Sequence, residues 1–136
     1  MTLTVPATIE SANRLTSILT IEHYFQTFNQ GDFDATAQLF ADEGALHPPF
    51  EMPIVGSSAI AAYLKKEADG MQAIPSEVTV TPLSSDRRQV VVKGSVKAIV
   101  FTVKAAWIFE LDACDRICHV QVQLLASLQD LLAIRP

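Results

Sequence analysis

The stretch Lys104-Ala-Ala-Trp-Ile-Phe-Glu-Leu111 alternates without interruption. Ala105, Trp107, Phe109 and Leu111 share one side, and Lys104, Ala106, Ile108 and Glu110 share the other. This period of two marks a β-strand with one face against a core. The chain's single tryptophan therefore sits mid-strand on the inward face. A buried indole N–H needs an acceptor, which leaves two readings of Trp107: a core side chain bonded to a backbone carbonyl, or a donor to a mostly apolar ligand.

Strands extend outward from this stretch on both sides. Glu77–Thr81 alternates, Pro82–Asp86 reads as a turn, and Val90–Ile99 alternates again with Val90, Val92, Gly94, Val96 and Ala98 inward. After a turn at Asp112–Asp115, Ile117–Leu125 places Cys118, Val120, Val122 and Leu124 on one face and His119, Gln121 and Gln123 on the other. Ahead of the strands lie three helical stretches. From about Thr8, residues Ile18, Ile21, Phe25 and Phe28 recur as one buried stripe, with Tyr24 beside it stacked on Phe28. Gly31 ends this helix, and Asp32 caps a short second one to about Phe40 with Phe33, Ala37 and Phe40 inward. Ala41–Gly56, with Pro48, Pro49 and Pro53, reads as an irregular crossing that plugs Phe50 and Ile54 into the core. Ser57 or Ser58 caps a third helix, Ala59–Asp69, whose stripe is Ile60, Tyr63, Leu64 and Ala68. Residues 1–7 are expected to be a loose arm and 126–136 a short helical tail. Segregated helices and strands predict an α+β domain with a curved sheet wrapped over helices.

Composition sets bounds. The 136 residues suit one domain, 49% of them are hydrophobic and only 18% charged, so an oligomer or an apolar ligand is expected. A net charge of −5, with no basic run, argues against nucleic acid. Cys114, Cys118 and His119 lie on one hairpin without zinc-site spacing, so no metal site and a reduced cysteine pair are expected. The start lacks a signal-peptide pattern and no apolar run approaches membrane length, which predicts a cytoplasmic protein without stable membrane insertion.

The inward residues Val92, Val96, Ala98, Ala105, Trp107, Phe109, Val120, Val122 and Leu124 are all apolar and several are small. Small residues opposite bulky helices suggest a cavity, with the Trp107 N–H and the Tyr24 hydroxyl as its polar handles. Acid–base catalysis needs a carboxylate or histidine there. No inward strand position supplies one, and Glu22 and His23 are expected in solvent. His47, in the proline-rich crossing, reads as a packing or capping residue or as a chemical one.

Several segments taken together resemble the C-terminal domain of the orange carotenoid protein, of the nuclear transport factor 2-like superfamily, and its standalone homologues. They are Tyr24 with Phe28-Asn-Gln-Gly-Asp-Phe-Asp34, Gly44-Ala-Leu-His-Pro-Pro-Phe50, Pro53-Ile-Val-Gly56, Ile74-Pro75, Ala106-Trp107 with Phe109, and Leu124-Leu-Ala-Ser127 with Leu131-Leu132. The resemblance covers nearly the whole chain as one domain, 1–136. It implies a cone of three N-terminal helices packed in a curved mixed or antiparallel sheet, with a short C-terminal helical tail.

It further implies that Tyr24 and Trp107 both hydrogen-bond the keto oxygen of a ketocarotenoid of the canthaxanthin or echinenone type. Phe28, Met71 and Phe101 are expected to line the pocket with the inward strand residues. Two neutral donors hold one carbonyl without burying a charge. Glu67 matches a glutamate that pairs with an arginine of the family's helical domain, so it serves partner docking or is a solvated helix residue. A long polyene exceeds one cup, since a strand of about seven residues spans roughly 23 Å. A homodimer sharing one carotenoid is therefore implied. Also implied are transfer to helical carotenoid proteins or apo orange carotenoid protein, and singlet-oxygen quenching in cyanobacterial photoprotection. The chain departs from the pattern in a shorter hairpin before Trp107, in Val100 where the full-length protein has a second tryptophan, and in Leu128 for a proline. The alternative is an enzyme of the ketosteroid isomerase or dehydratase type on the same fold, with Tyr24 as oxyanion donor and Asp42, Glu43 or His47 turned inward as base.

Overall fold

The computed structural model describes residues 9–125, with side chains from residue 17 onward. The arm over 1–7 and the tail over 126–136 lie outside the described residues. The order is α1 (Ile9–Gln30), α2 (Phe33–Gln38), β1 (Phe40–His47), β2 (Ile54–Val55), α3 (Ser57–Glu67), β3 (Gln72–Ser84), β4 (Arg87–Lys97), β5 (Thr102–Leu111) and β6 (Ile117–Leu125). One mixed sheet runs β2-β1-β6-β5-β4-β3. The expected α+β class holds, with one change: the stretch expected to be an irregular crossing is strand β1, parallel to β6, with β2 folded back on it.

That strand is hidden in the sequence because its alternation breaks. Phe40, Gly44 and Leu46 are buried while Asp42 and Glu43 are exposed. The ladder to β6 slips between Phe40 and Ala45. Gly44 lies so close to the backbone of β6 that an added Cβ would stand 2.5 Å from the Ile117 carbonyl, so only glycine fits this bulge.

Phe50 does not plug the core. It is 95% exposed, with a left-handed φ of 63°, whereas Ile54, the other expected plug, packs against the core. The chain turns back sharply here between two proline-bounded stretches, which throws the ring out to solvent.

Helix ends follow local chemistry. Gly31, at φ 77°, closes α1 with its N–H on the Phe28 carbonyl and the Asp32 N–H on the Thr27 carbonyl, the paired bonds of a glycine-terminated helix. Asp32 caps α2, which ends at Gln38, so Phe40 opens β1 rather than closing the helix. No serine caps α3: Gly56, at φ 95°, holds the N-cap position without a side-chain bond.

The core joins α1 to the sheet's inner face. Ile21, Tyr24, Phe25 and Phe28 pack over Val90, Val92, Ala105, Trp107, Phe109 and Leu111. On β6 the inward place expected for Cys118 goes to Ile117, fully buried, because the register slips after Glu110 and leaves Cys118 half-buried at a bulge. β3 is longer than alternation suggested. It runs to Ser84, and the turn contracts to Ser85-Asp86. As an edge strand it tolerates Pro75 and Pro82.

Two side-chain clusters fix α1 across the sheet. At its far end Asn29 accepts from the Ala73 N–H at 2.7 Å and donates to the Ala73 carbonyl at 2.9 Å, in the manner of a strand neighbour. Nearer its start, the buried Arg88 guanidinium donates to Ser17 Oγ at 2.7 Å, to the Asp112 carbonyl at 3.2 Å and to Asp115 Oδ1. Thr20 Oγ1 donates to the Asp115 carbonyl at 3.0 Å.

Candidate functional site

Between α1, α3 and the inner face of the sheet lies a cavity of about 250 Å³. Tyr24 and Phe28 of α1, Tyr63 and Leu64 of α3, and Trp107 of β5 form its floor and sides. It opens where Pro48 and Pro49 of the β1–β2 loop, Phe101 of the β4–β5 turn and Leu124 of β6 meet. Phe101 and Leu124 are themselves 56% and 45% exposed.

The expected lining residues divide by depth. Phe28, Met71, Val96, Ala98, Phe101, Val122 and Leu124 border the cavity, together with Tyr24 and Trp107. Val92, Ala105, Phe109 and Val120 do not: each is fully buried. Val92, Phe109 and Val120 share the inward face but lie under α1, where the helix fills the space, and Ala105 is covered between Val103 and Trp107. Residues not expected from the sequence complete the wall: Leu46, Pro48, Pro49, Tyr63, Leu64 and Val103. The Gly44–Phe50 segment carried three of these, but they become visible as wall only once β1 is known to be a strand. Glu67 also borders the cavity, as an exposed residue of α3.

Two donors stand out. Tyr24 and Trp107 are 2% and 3% exposed and both border the cavity. Among the described residues neither the Tyr24 hydroxyl nor the Trp107 N–H has a protein hydrogen-bond partner. Buried polar groups are nearly always satisfied, so two orphan donors on one apolar cavity are a departure from the ordinary pattern. Burial pushes the Tyr24 hydroxyl pKa well above its ordinary value, which keeps it a neutral donor. Tyr63 differs. Burial also pushes its hydroxyl up, helped by its bond to Glu51, to which it donates at 2.8 Å.

Rings set the donors in place. Trp107 stands edge-on to Phe25, with centroids 4.9 Å apart, and Tyr24 edge-on to Phe109 at 5.0 Å. Tyr24 stacks on Phe28 with planes 15° apart.

The side chains weighed as a catalytic base stand away from the cavity, and the carboxylate that borders it is the exposed Glu67. Asp42 and Glu43 are exposed on β1, and His47 faces away from the cavity, its ring against His119 at 6.1 Å. Glu22 and His23 are exposed as well. Among the described residues no cluster of three metal-ligating side chains forms, and no helix is long and apolar enough to cross a membrane.

Comparison with known proteins meets this geometry from another direction. The SnoaL-like domain model matches residues 21–120. The orange carotenoid-binding protein of Synechocystis is 33% identical over 117 residues, which is 83% of this chain and 37% of that protein. The chain thus spans just over a third of that relative's length. The orange carotenoid protein of Anabaena (Nostoc) sp. PCC 7120, solved binding canthaxanthin, superposes with a TM-score of 0.76 at 34% identity over 85% of this chain and 38% of that one. A ketosteroid isomerase-like protein from Erwinia carotovora atroseptica superposes at 0.65 with 17% identity, over 80% of this chain and 93% of that one, and shows the fold alone. The chain belongs to the SnoaL-like, nuclear transport factor 2-like family and is a homologue of the C-terminal domain of orange carotenoid proteins.

Proposed function

We propose that this chain is a ketocarotenoid-binding protein without catalytic activity. In this reading the cavity takes one end ring, and Tyr24 and Trp107 donate to its keto oxygen. The observation that carries the reading is the pair of buried donors without a protein acceptor on one apolar cavity. A carbonyl accepts two hydrogen bonds and donates none, and beyond the two tyrosine hydroxyls the lining side chains carry one acceptor group, the exposed Glu67 carboxylate. Homology to proteins named for carotenoid, one of them solved with canthaxanthin, supports the same ligand class. When bound, the pigment supplies its conjugated chain, which absorbs visible light and quenches singlet oxygen. The protein's residues fix the ring, polarise the carbonyl and exclude water.

The cavity, about 250 Å³, is below the roughly 300–1,000 Å³ that encloses a whole drug-sized ligand. A long polyene therefore leaves an apolar half outside, a costly exposure. Phe50 and Leu124, exposed beside Pro48 and Pro49, form an apolar rim on one side of the mouth, suited to a second copy sharing the pigment across a two-fold axis. The corresponding cellular role is that of a cytoplasmic carotenoid carrier in photoprotection. It passes pigment to helical carotenoid proteins or to apo orange carotenoid protein, with Glu67 at the mouth as a docking contact.

Purification from a host that makes canthaxanthin or echinenone tests the reading. Visible absorbance should copurify with the protein, at one pigment per two chains. A colourless preparation from a pigmented host overturns it.

A further inference from the structure

The β4–β5 hairpin carries more than the cavity wall requires. Its inward side, Val96, Ala98, Phe101 and Val103, borders the cavity. Its tip is a four-residue turn closed by the Ala98 N–H on the Phe101 carbonyl at 2.8 Å. Ile99 and Val100 stand there 92% and 83% exposed, beside Phe101 at 56%. Large aliphatic side chains gathered at a turn and held in water are costly unless something receives them.

The outward side of the hairpin is basic. Lys93, Lys97 and Lys104 all project from it and are exposed. Among the described residues none of the three has an ion-pair partner. Between Arg87 and Phe109 the sequence holds five of the chain's ten basic residues and no Asp or Glu. Arg87 and Arg88 are engaged with Glu110 and Asp115, which leaves the distal lysines free. A chain of net charge −5 thus concentrates unpaired positive charge beside its most exposed apolar tip. The carboxylates at the mouth, Glu51 and Glu67, belong to the β1–β2 loop and α3, not to the hairpin.

We infer that this tip is a docking surface for an anionic lipid bilayer: Ile99, Val100 and Phe101 enter the headgroup boundary while Lys93, Lys97 and Lys104 meet acidic headgroups. Apolar residues flanked by lysines bind membrane surfaces in this way. A second copy of the chain accounts for the apolar tip but not for the lysines, which would repel their counterparts. Docking sets the mouth of the cavity against the bilayer, where an apolar ligand resides. Only this last consequence rests on the carotenoid reading.

The test is flotation of the pigment-free full chain with phosphatidylcholine vesicles made with and without phosphatidylglycerol. The chain should float with the anionic vesicles, and added salt should weaken the association. Replacing Ile99 and Val100 together by Ser should weaken it by at least about tenfold. Replacing Lys97 and Lys104 together by Glu should weaken it by at least about 25-fold, since each basic residue near such a surface contributes about fivefold. All four side chains are solvent-exposed, so the fold is not at stake. A wild-type chain that never floats, or variants that both float as well as the wild type, overturn the inference. Tip variants that change only the size-exclusion volume and not flotation overturn it too, and assign the tip to a second copy. A chain that floats as expected but never takes up pigment supports the docking surface and counts against the carotenoid reading.

Discussion

Phe25 stands edge-on to Trp107, with ring centroids 4.9 Å apart and planes at 87°. The contact links the helix that carries one orphan donor to the strand that carries the other, since Tyr24 is the neighbouring residue of α1. The indole cannot turn without disturbing the phenyl ring, so the spacing of the two donors is set by packing in the ligand-free chain.

Phe25→Leu loosens that link. An edge-to-face aromatic pair contributes about 0.5–1.5 kcal/mol beyond the area it buries. Urea unfolding should show a loss of about 1–2 kcal/mol including the change in packing. Pigment retention should fall with it, because Trp107 is no longer held.

Tyr24→Phe should act oppositely on the empty and the loaded protein. A buried hydroxyl without a partner carries a desolvation penalty of about 1–3 kcal/mol. Removing it should leave the pigment-free chain as stable as wild type or more so in urea unfolding. The pigment-loaded chain should lose affinity. A clear loss of stability in the empty protein would mean that the phenol has a structural partner.

Arg88→Ala breaks the buried contact between β4, the β5–β6 turn and α1. It strands the Asp115 carboxylate, which also accepts from Ser17 Oγ at 3.2 Å. Removing one member of a buried pair costs about 3–5 kcal/mol, and denaturant midpoints should show a loss of that order. An effect below about 1 kcal/mol would place the pair in the class of surface salt bridges.

Gly94→Ala tests the close approach of β4 to β3 at Pro75, where the ladder between them shifts register. A Cβ there would stand 2.2 Å from the Ile74 carbonyl oxygen and 2.8 Å from Pro75 Cα, both backbone atoms that cannot turn aside. The strands must part, at a cost of about 1–3 kcal/mol. Since Val96 follows on the same strand and Ala98 just beyond its end, pigment absorption should change as well.

The β5–β6 turn gives a pH signature. Burial alone would raise the Asp112 carboxyl. The N–H groups of Arg116 and Cys114 and the Arg116 guanidinium outweigh it and hold the carboxyl below the usual range. A carboxyl lowered by folding stabilises the fold above its unfolded pKa, about 3.9, and the gain is lost as pH falls through the folded one. Asp112→Asn should therefore be less stable than wild type at neutral pH, and the two should converge on acidification below the usual carboxylate range.

Much of this architecture was legible in the sequence because short-range periodicity reports faces. The alternation of Lys104–Leu111 and of Val90–Ala98, the stripe through Phe25 and Phe28, and the glycine stop at Gly31 all reappear in the structure. Depth along a face was not legible. Val92 and Val96 alternate identically, yet one lies sealed under α1 and the other borders the cavity. Pairing between distant segments was hidden as well. β1 meets β6 across more than half the chain, with a bulge that erases its alternation, and Arg88 finds Ser17 and Asp115 without any local signal. Phe50 misled because an aromatic between prolines reads as a plug, whereas its left-handed backbone turns it outward.

The central claim is that Tyr24 and Trp107 together hold one keto oxygen, and the carbonyl stretching frequency of bound canthaxanthin tests it most directly. In the wild-type protein the stretch of the held carbonyl should lie below that of the pigment in an apolar solvent, since each hydrogen bond weakens the C=O bond. It should rise in steps in Tyr24→Phe, in Trp107→Phe and in the double variant. A frequency equal to that in apolar solvent, or one that neither substitution moves, would contradict the account.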